Sequence, residues 1–183
     1  MQRCGARGFT LVEVLVAMFV LAVGAVGVAA TQSTIARLRE QAALESEAVQ
    51  LAASLAARML ANPAQMALPD AANPYLQLDY DADAGDPAAP PAQCFGSTDC
   101  DAAAMAQFDL YETARIVHAA FPGGRIAVCR DATVWNAALQ TPDWDCVSSA
   151  AAPIVIKLGW RLRAQQGQPT SDATAFVAMV VPG

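Results

Sequence analysis

The chain has 183 residues, of which 55% are hydrophobic, and a formal net charge of −6 at pH 7. Its sequence pI of about 4.6, with the basic residues spread along the chain, argues against nucleic acid as a partner. Once about thirty N-terminal residues are set aside, the remaining length is that of one domain.

An uncharged stretch near the N-terminus covers residues 14–36. As a helix it is long enough to cross the roughly 30 Å hydrocarbon core of a bilayer. Arg3 and Arg7 precede it, and Arg37 and Arg39 follow it, so the positive charges on its two sides nearly balance and do not fix its orientation. The sequence therefore predicts one membrane-spanning helix.

The cysteines indicate where the rest of the chain lies. Cys4 precedes the apolar stretch, so it lies in a different compartment or is removed, and the other cysteines form an even set beyond it. An even set after a membrane segment is typical of disulfides in an oxidising space, which places the bulk of the chain outside the cytoplasm. Three connectivities are allowed; short loops favour Cys94 with Cys100 and Cys129 with Cys146, and buried free thiols are the alternative.

The residues at the start of the apolar stretch form a short signal. Residues 8–17 read GFTLVEVLVA, which resembles the class III signal of type IV pilins and type II secretion pseudopilins. The resemblance implies cleavage between Gly8 and Phe9 by a prepilin peptidase on the cytoplasmic face, and N-methylation of Phe9. It also implies that the apolar helix is retained as an assembly element.

A conventional secretory signal is the main alternative for this segment. Residues 28–30, Val-Ala-Ala, fit its cleavage site. However, a carboxylate at the centre of an apolar helix costs roughly 2.5–3.5 kcal/mol, and the helical pattern continues without Gly or Pro from Thr31 to Pro63. A secretory signal needs no such extension, so we favour the pilin-type signal.

Glu13 is the acid inside the apolar stretch, one helical turn beyond Phe9. Cleavage before Phe9 leaves a new α-amino group, and the carboxylate of one subunit can meet the ammonium of a neighbour when their helices stack with a stagger. A buried charge needs such a partner, because an unpaired one costs several kcal/mol. We therefore predict that Glu13 sets the register of assembly; the alternative is an acid that snorkels at a helix end.

Gly24 and Gly27 lie in the middle of the same predicted helix, where each costs up to about 1 kcal/mol relative to alanine. They indicate either close helix packing in the membrane or a point that unwinds on assembly. Pilins of the family often carry a proline in this region. This stretch has none, which favours packing.

Residues 31–62 predict a continuation of the helix, with a broad apolar face that packs on a globular domain. Asn62 and Pro63 are predicted to end it. The face comprises Ile35, Leu38, Ala42, Leu44, Ala48, Val49, Leu51, Ala52, Leu55 and Met59.

Prolines throughout residues 63–102 predict a loop. Its acidic stretch 79–86 has aspartates at alternate positions, as in a calcium-binding loop, but Ala84 and Pro90 stand where an EF-hand has glycine and glutamate. We expect a solvated acidic loop, with calcium binding as the alternative.

Residues 102–121 predict a second helix, which residues 122–124, Pro-Gly-Gly, end. It carries His118, the single histidine of the chain. A lone histidine without a nearby nucleophile or ligand cluster is usually structural, and the sequence has no Ser-His-Asp, CxxC or HExxH arrangement and no phosphate-binding loop. We predict no catalysis, no cofactor and no metal. The apolar face of this helix is Leu110, Ala114, Val117 and Phe121.

Strands are predicted at residues 125–131, near Cys146, at 153–163 and at 174–181. An antiparallel sheet of three or four strands packed on the long helix is the simplest closure. In 153–163 we expect Ile154, Ile156, Leu158, Trp160 and Leu162 to point inward, and Lys157, Arg161 and Arg163 outward. Trp135, Trp144 and Trp160 are assigned to the core or to shielding disulfides, with a ligand platform as the alternative.

Further stretches, LAARMLANP and FPGGRIAVCRD with WNAAL, DWDC and IVIKLGWR, resemble PilV-type minor pilins. The resemblance implies an α+β, type IV pilin-like fold, in which a long N-terminal helix, transmembrane and then amphipathic, packs on a small antiparallel β-sheet with a second helix and disulfides. It divides the chain into a leader (1–8), a transmembrane assembly helix (9–30), an amphipathic periplasmic helix (31–62) and a periplasmic globular head (63–183).

The function implied by this resemblance is that of a minor pilin, not an enzyme. Such a subunit sits in the bacterial inner membrane with one span, is processed by prepilin peptidase and joins other minor pilins and the major pilin. It initiates pilus assembly, lies at the pilus tip, can hold a tip adhesin there, and supports twitching motility or adhesion. The alternative is a minor pseudopilin of type II secretion, which shares the N-terminal motif but usually has fewer cysteines.

Overall fold

The computed structural model describes residues 10–96, 98–138, 141–147, 149, 151–162 and 174–182, apart from the side chains of Ala30, Ser33 and Thr174. The chain divides into two compact units, Met1–Ala43 and Leu44–Gly183. Cys4, Gly8, Phe9 and Arg163 lie outside the described residues.

A single helix, α1, runs from Leu11 to Ala61. In the first unit its large apolar side chains are exposed, Phe19 to 70% and Leu21 to 73%. A helix satisfies its own backbone hydrogen bonds, so an apolar helix of this kind suits a lipid environment. The helix ends where Pro63 lacks the N–H needed to continue it, as the sequence predicts.

In the second unit, the turns of α1 from Leu44 onward bury a narrow stripe rather than the whole predicted face. Val49 lies one residue from this stripe and remains 46% exposed, so its assignment to the packed face was wrong. Ile35 and Leu38, in the first unit, are likewise 47% and 60% exposed. The buried stripe comprises Ala48, Leu51, Ala52, Leu55, Ala56 and Met59.

The predicted loop 63–102 contains short regular elements. A one-turn helix α2 covers Pro63–Met66, 3₁₀ turns cover Pro74–Gln77 and Ala82–Ala84, and a strand β1 covers Asp79–Asp81. The loop prediction was wrong for these residues, because elements of three or four residues are too short to show a periodic pattern.

The second long helix, α3, covers Ala102–Ala120 and confirms the sequence prediction. The carboxylate of Asp101 accepts a hydrogen bond from the Ala104 N–H at 2.8 Å and caps its start. Gly123, with φ of +55°, allows the turn that follows. The face carrying Ala114 and Val117 is buried.

The strands after α3 are β2 (Arg125–Arg130), β3 (Trp135–Asn136), β4 (Thr141–Pro142), β5 (Ile154–Arg161) and β6 (Thr174–Val180). The main sheet has four antiparallel strands in the order β1-β2-β5-β6. A separate two-stranded ribbon pairs β3 with β4.

One face of the sheet packs on α1 and α3 to form the core of the second unit. The inward orientation predicted for Ile156, Leu158 and Trp160 is confirmed, since all three are buried in this core. The Trp160 ring centroid lies 5.4 Å from that of Phe121 at the end of α3. The α+β architecture expected from the sequence is therefore present.

The opposite face of β5 is also covered, contrary to expectation. Lys157, predicted to point outward into solvent, is fully buried, because the segment between Cys129 and Cys146 supplies its polar partners. Arg161 of the same strand does remain exposed, with 57% of its side chain accessible.

The three tryptophans have different environments. Trp160 is buried, and Trp144 is half-buried, edge-on to Phe176 at 5.1 Å. Trp135 is 51% exposed, so its assignment to the core or to a disulfide shield was wrong.

Candidate functional site

The start of α1 carries a mutual cap between Thr10 and Glu13. The Thr10 Oγ1 accepts a hydrogen bond from the Glu13 N–H at 3.3 Å. In return, the Glu13 Oε2 accepts from the Thr10 N–H at 3.2 Å and from the Thr10 hydroxyl at 3.3 Å. This is the reciprocal capping box of a helix N-terminus, which satisfies backbone donors that have no partner within the helix.

The position of Glu13 also suits its charge. It lies in the first turn of α1, where the partial positive charge of the helix N-terminus favours a carboxylate. Both Thr10 and Glu13 are exposed, so the carboxylate is accessible to a cation of another molecule. Gly8 and Phe9, the residues predicted to flank the cleaved bond, lie outside the described residues.

Within the described residues, α1 is long and apolar enough to cross a membrane. An 18-residue window within it has a mean hydropathy of 2.6, and none of that window is buried. The core helix of a soluble protein would be mostly buried, unlike this window. A signal sequence would be shorter, whereas α1 continues to Ala61.

Gly24 and Gly27 are not required by packing within the chain. A Cβ atom built on either would meet no described atom within 4 Å. The helix also runs through both positions without a break. Close backbone packing at these glycines would therefore have to involve a helix outside the described residues.

The last turns of α1 are attached to α3 by a polar cluster. Arg58 donates to the Asp109 carboxylate at 2.8 Å, and the Tyr75 hydroxyl donates to its other oxygen at 2.9 Å. Asn62 donates to the Tyr75 hydroxyl at 3.3 Å and to the Ala102 carbonyl at 2.7 Å. Burial raises the pKa of Tyr75 well above its ordinary value; the Asn62 amide opposes the shift and Asp109 adds to it. The cluster therefore holds neutral Tyr75 in a structural role.

Two disulfides join Cys94 to Cys100 and Cys129 to Cys146, with Cα–Cα distances of 5.7 and 6.3 Å. Of the three connectivities that the sequence allows, this is the one with short loops. The second bond closes the segment that covers the outer face of the sheet.

Under that segment lies a buried ion pair, which the sequence analysis missed. The Lys157 Nζ lies 2.6 Å from the Asp131 Oδ2, and both side chains have an exposed fraction of 0%. The same ammonium donates to the Asp143 carbonyl at 2.8 Å and to the Asp145 carbonyl at 3.0 Å. Through this ion pair and the two hydrogen bonds, Lys157 attaches the disulfide-closed segment to the sheet.

Asp131 is held ionised by its neighbours. Burial opposes ionisation, but hydrogen bonds from Lys157 and from the amides of Thr133 and Val147 outweigh it and lower the pKa of Asp131 below its ordinary value. A signal was available in the sequence: Lys157 is the single lysine of the chain, and its neighbours on the same face of the strand, Val155 and Gly159, are uncharged.

Side chains of two arginines and a histidine contact aspartates of the acidic stretch 79–86. Asp79 pairs with Arg125 at 3.3 Å, and Asp83 pairs with Arg161. Asp86 lies 3.2 Å from the His118 Nε2, whose ring Nδ1 is 2.7 Å from the Tyr80 hydroxyl. Among the residues described, no group of three or more His, Cys, Asp or Glu side chains could hold a metal ion.

Comparison with known proteins found one family model, the prokaryotic N-terminal methylation motif, which matches residues 3–29. No curated protein and no solved structure matched the chain. The matched residues include the predicted cleavage site and Glu13, and the match implies processing by prepilin peptidase and assembly with other pilins. The motif and the apolar helix fit a membrane-anchored subunit with a periplasmic head, and the motif supports a pilin-like prepilin, either a type IV pilin or a pseudopilin.

Proposed function

We propose that the chain is a PilV-type minor pilin of a type IV pilus. Its residues 1–8 form a leader, residues 9–30 a membrane and assembly helix, residues 31–62 an amphipathic periplasmic helix and residues 63–183 the head. The observation that carries the proposal is the methylation motif over residues 3–29, within which an apolar helix begins with an acid in its first turn.

The pairing of Glu13 with a neighbour follows from the same geometry. Cleavage between Gly8 and Phe9 creates an α-amino group about one helical turn before the carboxylate. In the chain by itself Glu13 is exposed and bonded to Thr10. When subunits pack, the carboxylate leaves water and requires a cation, and the amino terminus of Phe9 in a neighbouring subunit supplies it.

A structural role for the head agrees with how its charged groups are used. The half-buried contact of Arg58 with Asp109 joins α1 to α3, and the buried contact of Lys157 with Asp131 joins β5 to the segment between Cys129 and Cys146. The proposed partners are prepilin peptidase, other minor pilins, the major pilin and a tip adhesin. The subunit starts assembly at the inner membrane and is carried at the pilus tip.

Two measurements test the proposal. The intact mass of the membrane-extracted protein is expected to match a chain that starts at N-methylated Phe9; a chain that starts at Thr31 would refute it. A strain lacking the gene is expected to lose twitching motility while exoprotein secretion is retained. The opposite phenotype would support the alternative, a minor pseudopilin of type II secretion.

Replacing Glu13 separates its two roles. Glu13→Ala removes the cap and the charge, whereas Glu13→Gln keeps a side chain able to cap the helix and removes only the charge. We expect both variants to be cleaved after Gly8, because the scissile bond lies outside the ion pair, and both to incorporate poorly into pili. Incorporation is measured by immunoblot of sheared pili and by co-purification with other pilus subunits.

The matched control is Thr10→Val, which removes the hydroxyl of the cap and keeps the acid. It is expected to incorporate nearly as well as the wild type. Normal incorporation of Glu13→Gln would show that assembly does not require the charge, and would contradict the proposed pairing.

A further inference from the structure

One apolar face of α1 stays exposed along the part of the helix that follows the predicted membrane span. Its larger side chains are 46–60% exposed. The positions follow the three-, four- and seven-residue spacing of a single helix face, about 100° around the helix from the buried stripe. We call this face the outer stripe; it comprises Ile35, Leu38, Ala42, Val49, Ala53 and Leu60, all exposed.

Two residues of opposite charge flank the outer stripe on its two sides. By helical count, Arg39 lies about 60° to one side of the stripe and Glu45 about 60° to the other. Both side chains are exposed. The residues three and four positions from each are uncharged, so neither has an ionic neighbour along its own helix. Within the described part of the chain, neither belongs to a salt bridge.

The outer stripe is complementary to a parallel copy of itself when that copy is displaced along the helix axis. In register, Ile35 would face Ile35 and Ala42 would face Ala42, so large side chains would crowd and small ones would leave gaps. Displacement by seven residues, about 10 Å, keeps the stripes face to face, because the stripe repeats at positions 35, 42 and 49. Ile35 and Ala42 of the displaced copy then face Ala42 and Val49 of the other, which sets large side chains against small ones.

The same displacement brings the two flanking charges together. When two parallel helices face each other, the left side of one stripe lies beside the right side of the other, so Arg39 of one copy lies on the side that carries Glu45 of its partner. In register these two residues differ in height by about 9 Å. After displacement Arg39 lies at the height of position 46, about 1.5 Å from that of Glu45.

Glu13 lies on the same side of α1 as the outer stripe. It precedes Ile35 by 22 residues (35 − 13), which is about six helical turns. The displacement of seven residues also leaves the amino terminus at Phe9 of the displaced copy within about one turn of Glu13 of the other. The arrangement is therefore compatible with the proposed pairing of Glu13.

We propose that the outer stripe of α1 binds the outer stripe of a second copy of this chain, in parallel and displaced by seven residues, with Arg39 of the displaced copy paired with Glu45 of the other. The inference rests on the proposed function, since it names a partner of the assembly helix. Parallel helices keep both copies anchored in one membrane. Copies at equal depth in the membrane do not form the ion pair, so it favours a subunit that has moved outward relative to its neighbour.

Disulfide cross-linking in cells tests the contact. Two full-length copies with different tags are expressed together in a Cys4→Ser background, one with Ala42→Cys and the other with Val49→Cys. Both positions are exposed, and they face each other at the proposed displacement. We expect a disulfide between the two differently tagged copies. We expect none between two Ala42→Cys copies or two Val49→Cys copies, whose cysteines would differ in height by about 10 Å.

Charge reversal on each copy in turn tests the ion pair. In the Ala42→Cys copy, which is the displaced one, Arg39→Glu is expected to lower the cross-link yield about two- to fivefold. The same change in the Val49→Cys copy is the matched control, because its Arg39 lies at the height of the uncharged Gln32 of the displaced copy. Adding Glu45→Arg to the Val49→Cys copy is expected to restore the yield.

Several outcomes would overturn the inference. Disulfides between like copies would show pairing in register, and no disulfide, or one to a protein of another mass, would exclude a second copy as the partner. An equal effect of Arg39→Glu in both copies would exclude the ion pair. The N-terminus of the same samples, read by mass spectrometry, tests the proposed function separately: a chain that starts at N-methylated Phe9 but gives no cross-link refutes this inference alone.

Discussion

Replacing Lys157 by methionine is the sharpest test of how the head is held together. Methionine has a similar length and no charge, so it fills the space beside β5 without pairing with Asp131. It also leaves the Asp143 and Asp145 carbonyls without the donor that they share. Asp131 then remains as a carboxylate with an exposed fraction of 0% and no cation beside it.

The expected cost follows from that burial. Removing one partner of a fully buried ion pair costs about 3–5 kcal/mol, because the other charge stays buried and uncompensated. For a unit of the size of Leu44–Gly183, this corresponds to a fall in Tm of roughly 10–20 °C. The matched control is Arg161→Met on the same strand, whose side chain is 57% exposed and whose pair with Asp83 should contribute less than about 1 kcal/mol.

The assay is thermal and urea unfolding of the full chain in detergent, followed by tryptophan fluorescence. The three tryptophans of the chain, Trp135, Trp144 and Trp160, all lie in the second unit, so the signal reports the head and not the membrane helix. A Lys157→Met variant that loses less than about 1 kcal/mol, or no more than Arg161→Met, would refute the argument that the pair is buried and dry.

Two further outcomes are expected. Gly159→Ala should destabilise the head by about 1–3 kcal/mol and change its near-UV circular dichroism, because a Cβ there would lie 2.7 Å from the Trp144 ring; unchanged spectra would contradict this contact. The pKa of Asp131 is held below its ordinary 3.8, so its carboxylate stabilises the fold above that pH and this stabilisation is lost as the pH falls through the lowered pKa. The difference in unfolding free energy between the wild type and Asp131→Asn should therefore narrow as the pH falls below about 4, and a constant difference would count against it.

The long elements of the fold could be predicted from sequence, because they carry strong periodic signals. α1, α3 and the strands β2, β5 and β6 lie within a few residues of their predicted bounds. β1 was missed, since three residues between prolines give no pattern. It exists because the neighbouring strand β2 offers it a partner, and pairing of that kind depends on tertiary structure.

The site was predictable where it is local in sequence and unpredictable where it is not. Glu13 and its neighbours form a contiguous motif, and even the cap with Thr10 can be read from a spacing of three residues. Lys157 was expected to face solvent because the alternation of polar and apolar residues describes a single strand. It carries no information about the segment between Cys129 and Cys146 that covers this strand. The partner of Lys157, Asp131, directly follows β2, so the pairing of β2 with β5 and the fold of the disulfide-closed segment together bring the carboxylate to Lys157.

The mutual cap between Thr10 and Glu13 affects the free energy of the proposed packing between subunits. Before a neighbour arrives, the carboxylate is already occupied by hydrogen bonds from its own chain. In the packing proposed above, the ammonium of a neighbour would replace these hydrogen bonds, so only the difference in free energy between the two sets of partners would favour the packed state. A subunit that leaves the stack would then form the cap with its own Thr10 again.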